Sequence, residues 1–170
     1  MLDVKRYDAV DRLVAEWRRE RPDLDTSPLE VLSRIGRLSR HLDRARRDAF
    51  AAHGMEQWSF DVLAALRRAG SPYELPPRVL LERTLVTSGT MTNRVDRLEA
   101  DGLVERRPDP HDRRGVLVRL TPAGAARVDA CLADLLDHER SLLASLPRAD
   151  QAALAGLLRR LLAPFDETAG

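Results

Sequence analysis

Apolar positions along this chain recur every three to four residues, break once into strict alternation, and then return to helical spacing. Tyr7, Val10, Val14 and Trp17 share one face of a helix predicted over residues 3–21, with charged residues between them. Pro22 stops it, because proline lacks the backbone donor and clashes with the preceding turn. "SPLE" at 27–30 reads as the next start: Ser27 as cap, Pro28 in the first position, Glu30 completing a capping box. Leu29, Leu32, Ile35, Leu38 and Leu42 then form one stripe, and the helix ends near His53 and Gly54. A third helix is predicted over about 56–69, with Trp58, Val62, Leu63 and Leu66 inward and Gly70 behind it. "SPYELPP" reads as a turn, Pro77 opens a short helix through about Thr84, and Thr87 caps a further helix that Gly102 ends.

After Gly102 the period becomes two. "LVERR" and "GVLVRL" are strands, and "PDPHDRR" between them is dense in turn formers, so the segment is a hairpin. Thr121 and Pro122 restart helix. Val128, Cys131, Leu132, Leu135, Leu136, Leu142 and Leu143 make one stripe. Leu154, Leu157, Leu158, Leu161, Leu162 and Phe165 make another after Pro147. The expected fold is mainly α: a winged helix-turn-helix with a two-stranded wing and long terminal helices. Its expected parts are 1–54 (extension and dimerisation helix), 55–120 (DNA-binding lobe) and 121–170 (C-terminal dimerisation helices). Long apolar helices at both ends of a small middle lobe have too little to bury against, which points to a homodimer.

Composition narrows the chemistry. The chain has 170 residues, 44% hydrophobic and 32% charged, with a net charge of +1, so any anion-binding surface must be local. Lys5 is its one lysine. The single cysteine, Cys131, excludes an internal disulfide framework, and with no signal-peptide core or membrane-length apolar run the expected location is the cytoplasm. Cys131 lies in a leucine-rich stripe, where a buried thiol is inert. His41, His53, His111 and His138 show no metal-ligand spacing, and no catalytic constellation or glycine-rich phosphate loop is present. No cofactor, metal or enzymatic activity is expected.

In the helix after Thr87, Met91, Val95 and Leu98 face inward. Thr87, Ser88 and Gly89 stand at its start, where free backbone N–H groups bind phosphate. Thr90, Thr92, Asn93 and Arg97 complete a surface that allows close approach of a duplex and offers donors for base edges. Arg113 and Arg114 at the hairpin tip can reach a minor groove. Each feature also has a plainer reading: a solvated surface helix, and a solvated arginine pair. Asp112 can fold the tip by pairing with a neighbouring arginine.

The run "LVTSGTMTNRVDRLEADGLVERRPDPHDRRGVLVRLTPAG" resembles the MarR family of bacterial transcription regulators. The resemblance implies a homodimer with intertwined terminal helices that binds a pseudo-palindromic double-stranded operator, usually to repress, and often releases it when a small aromatic ligand binds. "RPDLDTSPLEVLSRIGRL" and "FDVLAALRRAGSPYELPP", with a tryptophan on an added N-terminal helix, resemble the urate-responsive branch. That resemblance implies a small aromatic anion held by Trp17, Asp61, Arg94 and Arg106. The chemistry is coherent: a ring to stack on, a carboxylate for ring N–H groups, and two guanidinium forks for the negative charge. Arg94 then turns away from DNA, held by Asp61 in the free protein. The bland alternatives are Trp17 as core, Asp61 as a solvated carboxylate and Arg106 as a phosphate contact. Two other functions stand beside the repressor: an architectural DNA-binding protein without an effector, and a regulator answering a phenolic carboxylate. A protein-interaction module that no longer binds DNA fits less well, since "SGTMTNR" and "DRR" are intact.

Overall fold

A computed structural model describes residues 7–84, 87–112 and 114–166. Its elements run α1 (Ala9–Glu20), α2 (Ser27–Ala52), α3 (Gln57–Arg68), β1 (Glu74–Leu75), α4 (Pro77–Thr84), α5 (Ser88–Ala100), β2 (Val104–Pro108), β3 (Val116–Leu120), α6 (Pro122–Leu143) and α7 (Arg148–Asp166). Internal contacts divide the chain into two units, Met1–Asp48 and Ala49–Gly170.

In the first unit, Asp8 caps α1. Its carboxylate accepts from the N–H groups of Val10 (2.7 Å) and Asp11 (3.0 Å), and Asp11 returns the bond to the Asp8 N–H (2.7 Å). Arg34 on α2 forks onto both carboxylates, at 2.9 Å from Asp8 and 2.8 Å from Asp11, while Val10 and Val14 are buried. Ser27 is not the cap of α2 but its first residue. The Asp25 carboxylate accepts both the Ser27 N–H (2.9 Å) and its hydroxyl (3.0 Å), since a charged acceptor two residues upstream outcompetes a neutral hydroxyl.

The Asp8 cap makes α1 acid-sensitive. Arg34 first, then the Asp11 backbone, hold the Asp8 carboxyl at about 2, below its ordinary 3.8. A carboxylate depressed on folding stabilises the folded state above its unfolded pKa and loses that contribution as pH falls through the folded value. The emission of Trp17, on the same helix, is therefore expected to shift as pH drops from 3.8 toward 2 in a Trp58→Phe background. Asp8→Asn should remove that component; an unchanged titration in Asp8→Asn rejects the assignment.

The second unit holds the core: Phe50, Val62, Leu63, Leu66, Leu80, Met91, Val95, Leu98, Val118, Val128 and Cys131 are buried together. The sheet is three-stranded and antiparallel, in the order β1-β3-β2. β2 and β3 pair from Val104 opposite Leu120 to Pro108 opposite Val116, as the alternating pattern predicts. The third strand lies inside "SPYELPP", where Glu74 and Leu75 pair with Arg119 and Val118. Two residues carry no legible alternation; a distant partner strand makes them β.

Gly102, at φ 69°, ends α5 and turns the chain into β2. Thr121 secures that turn to α6: its hydroxyl donates to the Gly102 carbonyl (2.8 Å) and accepts from the Gly124 N–H (3.0 Å). The recognition-type helix, the wing and α6 thus meet at one knot. α7 is the opposite case. None of its described side chains is buried, and Leu157, Leu161 and Leu162 stand 49–57% exposed.

Candidate nucleic-acid interface

α5 is fixed by its inner face and open on its outer one. Met91, Val95 and Leu98 are buried, whereas Thr87, Ser88, Gly89, Thr90, Thr92, Asn93 and Arg97 are all exposed. Thr87 stands at the N-cap without capping through its side chain; its hydroxyl meets that of Thr90 at 2.9 Å instead. The first-turn N–H groups are therefore not covered by their own cap, at the end of the helix where the dipole favours an anion. Thr92 turns its hydroxyl back to the Ser88 carbonyl at 3.2 Å. Gly89 has open space where a Cβ would be, with nothing within 4 Å.

The wing tip is shaped by carboxylates accepting from backbone. Asp109 accepts from the His111 N–H (2.8 Å) and Asp112 from the Arg114 N–H (2.9 Å). Asp112 thus helps fold the tip through a main-chain donor, which needs no long side chain to be ordered. Gly115 is required there: a Cβ would stand 2.9 Å from the Asp109 Cβ. Arg114 is exposed, and Arg113 lies outside the described residues.

Of the four residues expected to hold a ligand, Asp61, Arg94 and Arg106 lie in the second unit, each with its own neighbours. Trp17 is on α1 of the first unit, 47% exposed. Asp61 accepts from Gln57 Nε2 at 3.0 Å and lines a cavity of about 270 Å³ with Arg68 and Arg83. Arg94 is half-buried, its guanidinium carbon 5.6 Å from the centre of the Trp58 ring, and no Asp61–Arg94 ion pair forms among the described residues. The Trp58 ring gives Arg94 a closer seat on the same α3 helix. Arg106 is clamped by two carboxylates of α5, Asp96 at 2.5 Å and Glu99, and its backbone N–H donates to Glu99 at 2.9 Å. Burial pulls the Arg106 pKa down, and the two carboxylates outweigh it, leaving it above its ordinary value. Arg106 also lines a cavity of about 230 Å³ whose other walls include Pro77, Thr92, Val95 and Val116.

Three participants were not singled out for function in the sequence. Trp58 reads as core by its spacing, yet two guanidiniums sit against it. Asp96 and Glu99 read as ordinary helix charges; their i, i+3 spacing, with an arginine seven residues beyond Glu99, is the signal for a helix-to-wing clamp. Cys131 is buried, its thiol pushed up by burial and then by Asp134, as an inert core thiol requires. No group of three or more His, Cys, Asp or Glu among the described residues could hold a metal, and no helix there is long and apolar enough to cross a membrane.

A short helix pair, a recognition-type helix open at its N-terminus and an antiparallel wing define a winged-helix transcriptional regulator. The MarR family model matches residues 53–115. The chain is 36% identical over 156 residues to the HTH-type transcriptional regulator PecS of Dickeya dadantii, covering 92% of this chain and 94% of that protein. It is 32% identical to the HTH-type transcriptional repressor NicR of Pseudomonas putida, over 86% of this chain and 93% of that one. Among solved structures, a mutant MarR from E. coli complexed with operator DNA has a TM-score of 0.65 and 31% identity, covering 82% of this chain and 99% of its own. The chain belongs to the MarR family of transcriptional regulators.

Proposed function

We propose that this regulator binds a pseudo-palindromic operator as a homodimer, represses from it, and lets go when a small aromatic anion binds. The observation that carries the reading is the outer face of α5: Ser88, Gly89, Thr90 and Asn93 exposed together around first-turn N–H groups that Thr87 leaves uncapped. Small hydroxyl residues and glycine admit the duplex backbone, and Asn93 supplies the paired donor and acceptor that read a base edge. Two such helices in a dimer reach successive major grooves, ~34 Å apart. The homodimer is supported by the exposed apolar faces of α2 (Leu32, Ile35, Leu38), α6 (Leu132, Leu136) and α7.

The ligand reading draws on Arg106. A carboxylate or purine anion entering the cavity beside it competes with Asp96 and Glu99 for the guanidinium. Both competitors lie on α5, so withdrawing Arg106 loosens the recognition helix from the wing, a differential contact between bound and released states. Urate and a phenolic carboxylate are the two ligand classes that fit this chemistry. Resemblance adds Trp17, Asp61 and Arg94 for the purine.

The test begins with duplexes selected from a random pool by the wild-type protein. Asn93→Ala is expected to relax sequence preference, and Arg114→Ala to weaken all duplexes evenly while flattening the salt slope by about one unit per protomer. Gly89→Ala adds a methyl group where the fold has room, so a loss of affinity there reports duplex approach rather than folding. Titration with urate and with salicylate should release wild type but spare Arg106→Ala. Failure of the pool to yield any enriched duplex rejects DNA binding; equal release of wild type and Arg106→Ala rejects the ligand site alone.

A further inference from the structure

Trp58 joins α3 to the flank of the recognition-type helix. Its ring packs against the hydrophobic core and is therefore held in place. The Arg97 guanidinium carbon lies 4.7 Å from the ring centre and that of Arg94 lies 5.6 Å from it, so one ring serves two cations of α5. Glu56, at the N-cap of α3, accepts from Arg97 Nη2 at 2.8 Å. The Trp58 side chain first and Arg97 next hold the Glu56 carboxyl below its ordinary pKa. Glu56, Trp58, Arg97 and Arg94 thus form one connected group between α3 and the DNA-facing side of α5.

As a clasp for the fold this group adds little. The Arg97 and Glu56 side chains are 63% and 62% exposed, and a pair so solvated contributes almost nothing to stability. α3 and α5 are already joined through Val62, Leu63, Val95 and Leu98 in the common core. What the group does decide is where two long, otherwise mobile guanidiniums stand. A free arginine loses most of its rotamer freedom when it docks on a nucleic acid; one already stacked on a fixed ring has lost it beforehand. Arg97 flanks Asn93 by one helical turn, so its placement bears directly on the reading surface.

We propose that Trp58 is a positioning residue for operator recognition: its ring pre-places Arg97 and Arg94 along the flank of α5 for contact with the duplex. The inference rests on the DNA-binding reading above, and it takes Arg94 as serving that surface in the ligand-free protein.

The experiment measures affinity for a selected duplex across a salt series, with circular dichroism confirming helix content. Trp58→Leu is expected to weaken binding about tenfold with no change in salt slope, because every charge is still present. Trp58→Phe, which keeps a ring, should stay within about threefold of wild type. Arg97→Ala should weaken binding and also flatten the slope. On an Arg94→Ala/Arg97→Ala background Trp58→Leu should cost nothing further, since nothing is left to position. Persistence of the tenfold loss on that background would show Trp58 acting through the fold and overturn the proposal. So would wild-type affinity in Trp58→Leu, or a loss in Trp58→Phe as large as in Trp58→Leu. A wild-type protein that enriches no duplex fails the DNA-binding reading itself, and the proposal falls with it.

Discussion

Gly124→Ala is expected to lower the melting temperature of the protein by roughly 6–12 °C, corresponding to ~3 kcal/mol for a chain of this size. The new Cβ would lie 2.1 Å from the Leu103 carbonyl oxygen and 2.8 Å from Leu120 Cδ1. The first contact is with main chain, so no side-chain rotation relieves it; α6 must lift from the turn between α5 and β2. That lift also strains the Thr121 bonds to Gly102 and Gly124, which tie the wing to the helix. Operator affinity should fall with stability, because the angle between α5 and the wing is set at this knot. Gly89→Ala is the control: with nothing within 4 Å of its Cβ, it should melt at or slightly above wild type. Equal melting temperatures for Gly124→Ala and wild type would mean that α6 does not seat as closely as described.

What the sequence disclosed, and what it withheld, separates by range. Thr121, Pro122 and Gly102 declare their helix ends because a cap, a first-turn proline and a left-handed glycine act within four residues. β2 and β3 declare themselves by a local change of period. The outer face of α5 was legible for the same reason, since Met91, Val95 and Leu98 fix which side is hidden. β1 was not legible, because Glu74 and Leu75 become strand by pairing with Val118 and Arg119, more than forty positions away. The role of the Asp25 carboxylate, which accepts from the Ser27 N–H and hydroxyl, was hidden behind a stronger-looking Ser27 signal. Charged partners were least legible of all. Arg34 meets Asp8 and Asp11, Arg67 meets Asp129, and Arg97 meets Glu56, each across elements, and composition cannot pair 27 acidic residues with 28 basic ones. The ligand residues share that difficulty. Resemblance names Arg94 and Arg106 together, while the structure seats one against Trp58 and the other between Asp96 and Glu99.

The largest functional effect is expected from α7, far along the chain from the reading helix. α7 runs for 19 residues, and none of its described side chains is buried. Leu154, Leu157 and Leu161 recur at helical spacing and stand 37%, 56% and 49% exposed, with Leu162 at 57% beside them. Such a stripe on a helix that buries nothing of its own is stable only against another apolar face, which the proposed homodimer would supply from a second copy of the chain. Leu157→Glu/Leu161→Glu keeps good helix formers in the helix while placing two carboxylates in that face. The doubly substituted protein is expected to sediment as a monomer at micromolar concentration. Binding one half-site at a time, it forfeits the intramolecular second contact, so affinity for the full operator should drop by about 10²- to 10⁴-fold. Binding to an isolated half-site, and the response of that binding to Trp58→Leu, should persist, because α5 and its platform are untouched. A double variant that remains a dimer would place the interface elsewhere. A monomer that still binds the full operator with wild-type affinity would show that two linked reading helices are not what gives this regulator its grip.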